Sequence, residues 1–161
     1  MPSVRHLSSW TSPDRHVLIH FSDAVRAVFE SHVQAWDSGT ESGGILLGCV
    51  RGQHLEVTLA TAPTRWDKRL QFFFERAPFR HRAIAKKAWK ESGGLVRYIG
   101  EWHTHPEDHP SPSRLDQVEW QKLAAKRQDG RSLLAVIVGR RGMYVALASA
   151  LGDAVRLDPA E

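Results

Sequence analysis

Two histidines and an aspartate stand at a spacing that can build a metal site. His103 and His105 are separated by one residue, and Asp116 follows a proline-containing loop. Residues two apart on a β-strand point to the same face, so both imidazoles can reach one point. Two imidazoles and one carboxylate leave a fourth zinc position for water, as in catalytic rather than structural zinc sites. These residues therefore predict a catalytic zinc centre.

A strand, a loop and a helix start must bring these ligands together. The apolar run before His103 predicts a strand, and Ser113 can cap the helix whose first turn carries Asp116. A histidine pair is unremarkable in a chain with nine histidines, and S-x-x-D alone is an ordinary capping pattern. Both halves at one strand-to-helix junction favour a metal site.

Hydrolysis at such a site also needs a base that receives a proton from water. Glu41, Glu101 and Glu107 are the candidates. Glu101 shares the strand face of His103 and suits a supporting polar contact, whereas Glu107 lies in the proline-containing loop. Glu41 stands before Gly43 and Gly44, which allow a strand or a ligand to approach the backbone closely. The residues alone leave the choice of base open.

The rest of the chain alternates strand and helix signals and predicts a single α/β domain. Residues 1–15 are rich in serine and proline and predict an irregular lead-in, so the domain is expected to span residues 16–161. Helices are expected from Ser22, from about Ala77 and from Ser113. The predicted strands cover residues 17–21, 43–50, 55–60, 70–74, 95–102, 133–138 and 143–148, with a short edge piece at 154–157.

Composition limits the class of protein. A chain of 161 residues with 42% hydrophobic residues can bury one core. The net charge of +4 permits nucleic-acid binding, but acidic residues separate the basic ones, so nucleic acid is not an expected partner. No apolar stretch suits a membrane span, and no membrane partner is expected. The single cysteine, Cys49, excludes an internal disulfide and a thiolate-rich zinc site, and it fits a cytoplasmic location.

The combination of Glu41, H-x-H at 103 and 105 and S-x-x-D at 113–116 resembles the signature of the JAMM (MPN+; JAB, Mov34/PAD-1) zinc metalloproteases. The resemblance covers roughly residues 16–150. It implies a single MPN (JAB) domain of the α/β class, with a mixed curved β-sheet, flanking helices and a likeness to cytidine deaminase. It further implies that His103, His105 and Asp116 bind one catalytic Zn²⁺ and that Glu41 is the general acid/base.

The same resemblance implies that Ser113 helps to stabilise the oxyanion of the tetrahedral intermediate. Helix capping is the alternative role of this serine. The two roles are compatible, because an N-cap hydroxyl lies among the backbone N–H groups that a helix start leaves unpaired.

The stretch around the histidines, Gly100-Glu101-Trp102-His103-Thr104-His105-Pro106, resembles compact bacterial family members. Some of these are encoded beside E1-like and E2-like proteins, including in CBASS anti-phage operons. The resemblance implies a deubiquitinase-like isopeptidase that cleaves after the C-terminus of a ubiquitin-like or similarly conjugated protein, with E1-like and E2-like operon partners. One alternative is C-terminal processing of a small sulfur-carrier protein. The alternative from another class is a metal-stabilised protein- or nucleic-acid-binding module, whose binding would fall steeply with salt.

Two further features could take part in substrate binding. Trp102 and Trp120 flank the motif, and core packing is their expected role because aromatic side chains bury large areas. The basic segment 64–80 is expected either to receive a substrate tail beside a strand or to form a solvated face.

Overall fold

The computed structural model describes residues 7–33, 40–62, 68–70, 73–75 and 78–160, and side chains between 63 and 79 lie outside this description. Its helices are α1 (Asp23–Ser31), α2 (Pro78–Glu91) and α3 (Arg114–Ala125). None of these three combines the length and the apolar character of a membrane span. The strands are β1 (Ser9–Thr11), β2 (Leu18–Phe21), β3 (Gly43–Arg51), β4 (His54–Ala60), β5 (Lys68–Leu70), β6 (Phe73–Glu75), β7 (Arg97–Thr104), β8 (Leu133–Val138), β9 (Met143–Ala148), β10 (Ala154–Arg156) and β11 (Asp158–Pro159).

One mixed sheet organises the molecule. Nine strands pair in the order β10-β9-β8-β7-β3-β4-β2-β1-β11, and β5 and β6 form a separate hairpin. The β2–β4 and β7–β8 pairs are parallel, and the other pairs of this sheet are antiparallel. The two outermost strands, β10 and β11, are neighbours in sequence, so the sheet curves until it nearly closes. The expected α/β class and mixed curved sheet are confirmed.

Two hydrophobic clusters cover the two faces of the sheet. On one face, α1 buries Val25 and Phe29, and the Phe29 ring lies 5.3 Å from that of Trp102. On the other face, Trp120 of α3 packs with residues of β8 and β9, and its ring stacks on Tyr144. Core packing of Trp102 and Trp120 is therefore confirmed, since both are almost fully buried.

Helix starts follow the predicted caps. Ser22 is the N-cap of α1, and its Oγ accepts a hydrogen bond from the Val25 N–H at 3.3 Å. Ser113 caps α3 in the same way. The second predicted helix begins at Pro78, one residue after the expected position, where proline suits the first turn because its missing N–H needs no partner there.

Two expectations differ from the structure. Residues 1–15 were expected to be irregular, whereas Ser9–Thr11 form β1, which pairs with both β2 and β11. The reason is Trp10, which is only 5% exposed and whose indole N–H donates to the Leu7 carbonyl. The single strand expected at 70–74 is instead the hairpin of β5 and β6. Of the basic segment 64–80, residues 64–67, 71–72 and 76–77 and all side chains up to 79 lie outside the described residues.

Candidate active site

The end of β7 positions the two histidines. β7 runs between β3 and β8, with His103 opposite Gly43 on one side and Ile137 on the other. Beyond the strand end, the His105 N–H donates to the Val138 carbonyl at 3.1 Å, so His105 continues the line of the sheet. Both imidazoles are buried. The backbone of His103 is held on both sides and that of His105 on the β8 side, which restricts the direction of each ring.

The start of α3 positions the aspartate. Ser113 Oγ accepts from the Asp116 N–H at 3.1 Å, and the Ser113 N–H donates to Asp116 Oδ2 at 2.8 Å. This reciprocal capping box satisfies two N–H groups at the helix start and holds the carboxylate still. The carboxylate is thereby turned toward the end of β7.

Donor atoms from three residues meet between these elements. His103 Nε2 and His105 Nε2 lie 3.1 Å apart, His103 Nε2 and Asp116 Oδ1 3.3 Å, and His105 Nε2 and Asp116 Oδ2 3.2 Å. A tetrahedral zinc ion with bonds of roughly 2.0–2.1 Å needs ligand atoms about 3.3 Å apart. The structure thus brings the three predicted ligands together, and the size and chemistry of the triangle fit zinc. It is the one such group of metal-ligating side chains in the described part of the chain.

Electrostatics within the triangle favour a cation. Burial alone would lower the pKa of His105, but the hydrogen bond and charge of Asp116 outweigh it, so the pKa is raised. Burial alone would raise the pKa of Asp116, but hydrogen bonds from His103 and His105 hold that pKa far below its ordinary value. The carboxylate thus stays ionised beside two nitrogens.

Glu41 lies at the edge of the triangle. It lies two residues before the start of β3, is only 2% exposed, and places Oε1 3.7 Å from His105 Nε2. Burial raises the pKa of its carboxyl group to about 8. The neighbouring Ser42 is fixed to β7, because its N–H donates to Thr104 Oγ1 at 2.9 Å and its carbonyl accepts from the Thr104 N–H. Glu41 is therefore brought to the ligands by the pairing of β3 with β7.

The other two candidate bases point elsewhere. Glu101 Oε1 accepts a hydrogen bond from the Tyr98 hydroxyl at 2.7 Å. Glu107 Oε1 lies 2.9 Å from His105 Nδ1, the ring nitrogen that faces away from the triangle. Of the three acids, Glu41 is the one whose carboxylate approaches the Nε2 side of His105.

A buried polar network centred on Thr61 was not predicted. Thr61 Oγ1 accepts from the Ile45 N–H and lies 2.6 Å from His81 Nδ1, while the Thr61 carbonyl accepts the Trp102 indole N–H. His81 belongs to α2 and is fully buried. The network joins α2, β3 and β7, and nothing in the spacing of these residues indicates it.

A groove leads from the triangle between α2 and α3. It has a volume of about 1000 Å³, and its floor is formed by β3 and β7. The site end is lined by Glu41, His103 and Asp116, and the walls include Arg82, Glu119 and Leu123. A cavity of this size is large enough for an extended peptide segment.

The chain is similar to several known proteins. Residues 22–151 match the family described as prokaryotic homologs of the JAB domain. A Pseudomonas aeruginosa relative named CD-NTase/cGAS isopeptidase is 50% identical over 98% of this chain and 100% of its own length. Escherichia coli and Vibrio cholerae relatives with the same name are 36% and 38% identical, covering 82% and 65% of this chain and 81% and 65% of their own lengths.

A solved structure shares the fold. The solution structure of a Desulfitobacterium hafniense protein superposes with a TM-score of 0.60 at 21% identity, covering 89% of this chain and 90% of the other. Its likeness concerns the arrangement of strands and helices alone.

Proposed function

Because the chain belongs to the family of prokaryotic homologs of the JAB domain, we propose that it is a zinc-dependent isopeptidase. The observation that carries this proposal is the triangle of His103, His105 and Asp116 donor atoms with the buried Glu41 carboxylate beside it. The full-length similarity to a relative named as an isopeptidase supports the reaction class.

His103, His105 and Asp116 would hold the zinc ion, and their mutual distances match its coordination geometry. When bound, the ion supplies Lewis-acid activation of water and of the scissile carbonyl group. The side chains of the protein must then move the proton and hold the substrate.

Glu41 moves the proton in this proposal. Its carboxylate accepts a proton from the attacking water and then donates it to the nitrogen of the departing amine. Burial keeps the carboxyl group out of bulk solvent, and the bond between Ser42 and Thr104 keeps it beside His105. Ser113 Oγ already accepts the Asp116 N–H, so its own O–H can be donated to the developing oxyanion.

The substrate class follows from the relatives' name. We propose that the chain cleaves the isopeptide bond between the C-terminus of a CD-NTase, or of a ubiquitin-like protein, and an amine of its target. The groove between α2 and α3 would receive the extended C-terminal segment. E1-like and E2-like proteins that make such a bond are the implied functional partners, and the cytoplasm is the implied location.

The test is cleavage of a CD-NTase whose C-terminus is joined to a reporter protein. Mass spectrometry should show release of the intact C-terminus, and a zinc chelator should stop the reaction until zinc is restored. Glu41→Gln should reduce turnover by at least 100-fold while retaining zinc, because it removes the proton carrier. Glu56→Gln, at a partly exposed acid on β4 that pairs with Arg51, is the matched control and should keep full turnover.

Unchanged turnover in Glu41→Gln would contradict the mechanism. Turnover of a sulfur-carrier fusion but not of the CD-NTase fusion would move the assignment to C-terminal processing. Salt-sensitive nucleic-acid binding without any cleavage would favour the binding module instead.

A further inference from the structure

The two nitrogens of His105 face two different acids. Nε2 points into the donor triangle, 3.2 Å from Asp116 Oδ2, while Nδ1 lies 2.9 Å from Glu107 Oε1. Glu107 therefore contacts the ring on the edge opposite to the triangle. Its side chain remains 45% exposed, whereas the imidazole is buried.

This contact favours the tautomer of His105 in which Nε2 can bind a metal ion. A neutral imidazole carries one proton, and an ionised carboxylate can only accept a hydrogen bond. When the Nε2 lone pair holds a metal ion, the one proton of the neutral ring sits on Nδ1, from which it is donated to Glu107 Oε1. A metal ligand needs that lone pair, so the tautomer favoured by Glu107 is the binding one.

We infer that Glu107 is a positioning residue that orients His105 and holds it in its metal-binding tautomer. This inference rests on the proposed metal site. A carboxylate on the outer nitrogen of a ligating histidine fixes the ring and raises its basicity, and losing it typically weakens metal binding by 10–100-fold.

The backbone of Glu107 is itself held in place. The N–H groups of Arg140 and Arg141, in the turn between β8 and β9, donate to the carbonyls of Glu107 and Asp108 at 2.8 and 2.9 Å. The Arg140 guanidinium lies 3.0 Å from the Asp108 carboxylate. At Gly139, a Cβ atom would lie 2.7 Å from the Glu107 carbonyl oxygen, so the turn and the loop are in close contact. Glu107 is thus presented to His105 by a loop that the sheet supports.

The experiment measures metal affinity rather than activity. Zinc dissociation constants would be determined by chelator competition for the wild type, Glu107→Ala and Glu107→Gln. We expect Glu107→Ala to bind zinc about 10–100-fold more weakly. Glu107→Gln should bind with intermediate affinity, since its amide oxygen still accepts the Nδ1 proton but carries no charge. The matched control is Glu119→Gln, which removes one charge from the groove wall, where Glu119 pairs with Lys122.

A second readout separates orientation from general stability. The visible spectrum of the cobalt-substituted protein reports ligand geometry, so its bands should shift in Glu107→Ala and stay unchanged in Glu119→Gln. Thermal unfolding of the metal-free proteins should be similar in all four, because the exposed Glu107 carboxylate contributes little to folding.

Equal zinc affinity in Glu107→Ala and the wild type would overturn the inference. An equal loss in Glu107→Ala and Glu119→Gln would overturn it too, because only the lost charge would then matter. Absence of zinc binding by the wild type would instead contradict the proposed metal site, so the two failures are distinguishable.

Discussion

Asp116 and Ser113 each take part in both the helix cap and the candidate active site. Asp116 accepts the Ser113 N–H as part of the capping box and also faces both histidines. Ser113 returns the capping bond through its hydroxyl. The helix start and the metal triangle therefore share atoms, and a substitution at either residue is expected to affect both folding and chemistry.

Ser113→Ala separates these two contributions. Losing the hydroxyl acceptor should lower the free energy of unfolding by about 1 kcal/mol, as for other N-caps. Losing an oxyanion donor should lower kcat by roughly 100-fold. Urea unfolding and turnover of the conjugate measure the two effects, and Ser113→Thr, which keeps the hydroxyl group, should preserve both. A stability loss with unchanged kcat would reduce Ser113 to a capping residue.

Local chemistry explains what could be predicted at this scale. His103, His105, Ser113 and Asp116 belong to one strand-to-helix junction, so strand and helix periodicity alone indicated that they converge. Glu41 reaches them through the pairing of β3 with β7, which no local pattern specifies. The residues alone left the choice of general base open, and the family resemblance indicated Glu41.

At the scale of elements, β3 is the strand on which the geometry depends. It pairs with β4 on one side and β7 on the other, and the start of the strand passes close to Thr61. A Cβ atom added at Gly44 would lie 2.3 Å from the Thr61 carbonyl oxygen and 2.4 Å from its Oγ1. Only glycine allows this approach, and Glu41 stands just ahead of it.

Gly44→Ala should therefore disturb both the strand and Glu41. The clash is with backbone and with a hydroxyl that already binds the Ile45 N–H, so the expected loss of unfolding free energy is roughly 1–3 kcal/mol. Chemical denaturation measures this loss. Gly142→Ala is the control, because its Cβ would meet the movable His109 ring at 3.2 Å and should cost little. Equal stability of the two variants would contradict the role of the close approach.

Helices and strands were predicted correctly where apolar residues recur at a helical or strand period over several residues. β3, β4, β8, β9, α2 and α3 have such periods and lie close to their expected bounds. α1 begins at its expected cap, but it ends at Ser31, before the last apolar positions of the pattern that predicted it. β1 and β11 are too short to show an apolar period, and each is stabilised by pairing with a strand remote in sequence. The burial of Trp10 could not be inferred from its serine-rich surroundings.

At the scale of the whole molecule, the short segment 154–159 supplies both edge strands of the sheet. β10 pairs with β9 and β11 pairs with β1, and only Leu157 separates them. Leu157 is 1% exposed, and its N–H donates to the Val145 carbonyl at 2.8 Å. This side chain anchors the crossing from one edge to the other.

Leu157→Ala should lower the free energy of unfolding by about 2–5 kcal/mol, because it leaves a cavity where the two edges meet. Val155→Ala, on the neighbouring strand and 48% exposed, should cost far less. Urea unfolding of both variants measures the difference. Similar losses would show that closure of the sheet does not depend on the buried leucine.

This arrangement also has a consequence during synthesis. β1 leaves the ribosome well before the last strands of the sheet, yet β1 and β9 receive their outer partners from residues 154–159. Until that segment has left the exit tunnel, both flanks of the sheet present unpaired backbone groups on which other chains can add. Completion of the fold is therefore tied to the end of translation of this domain.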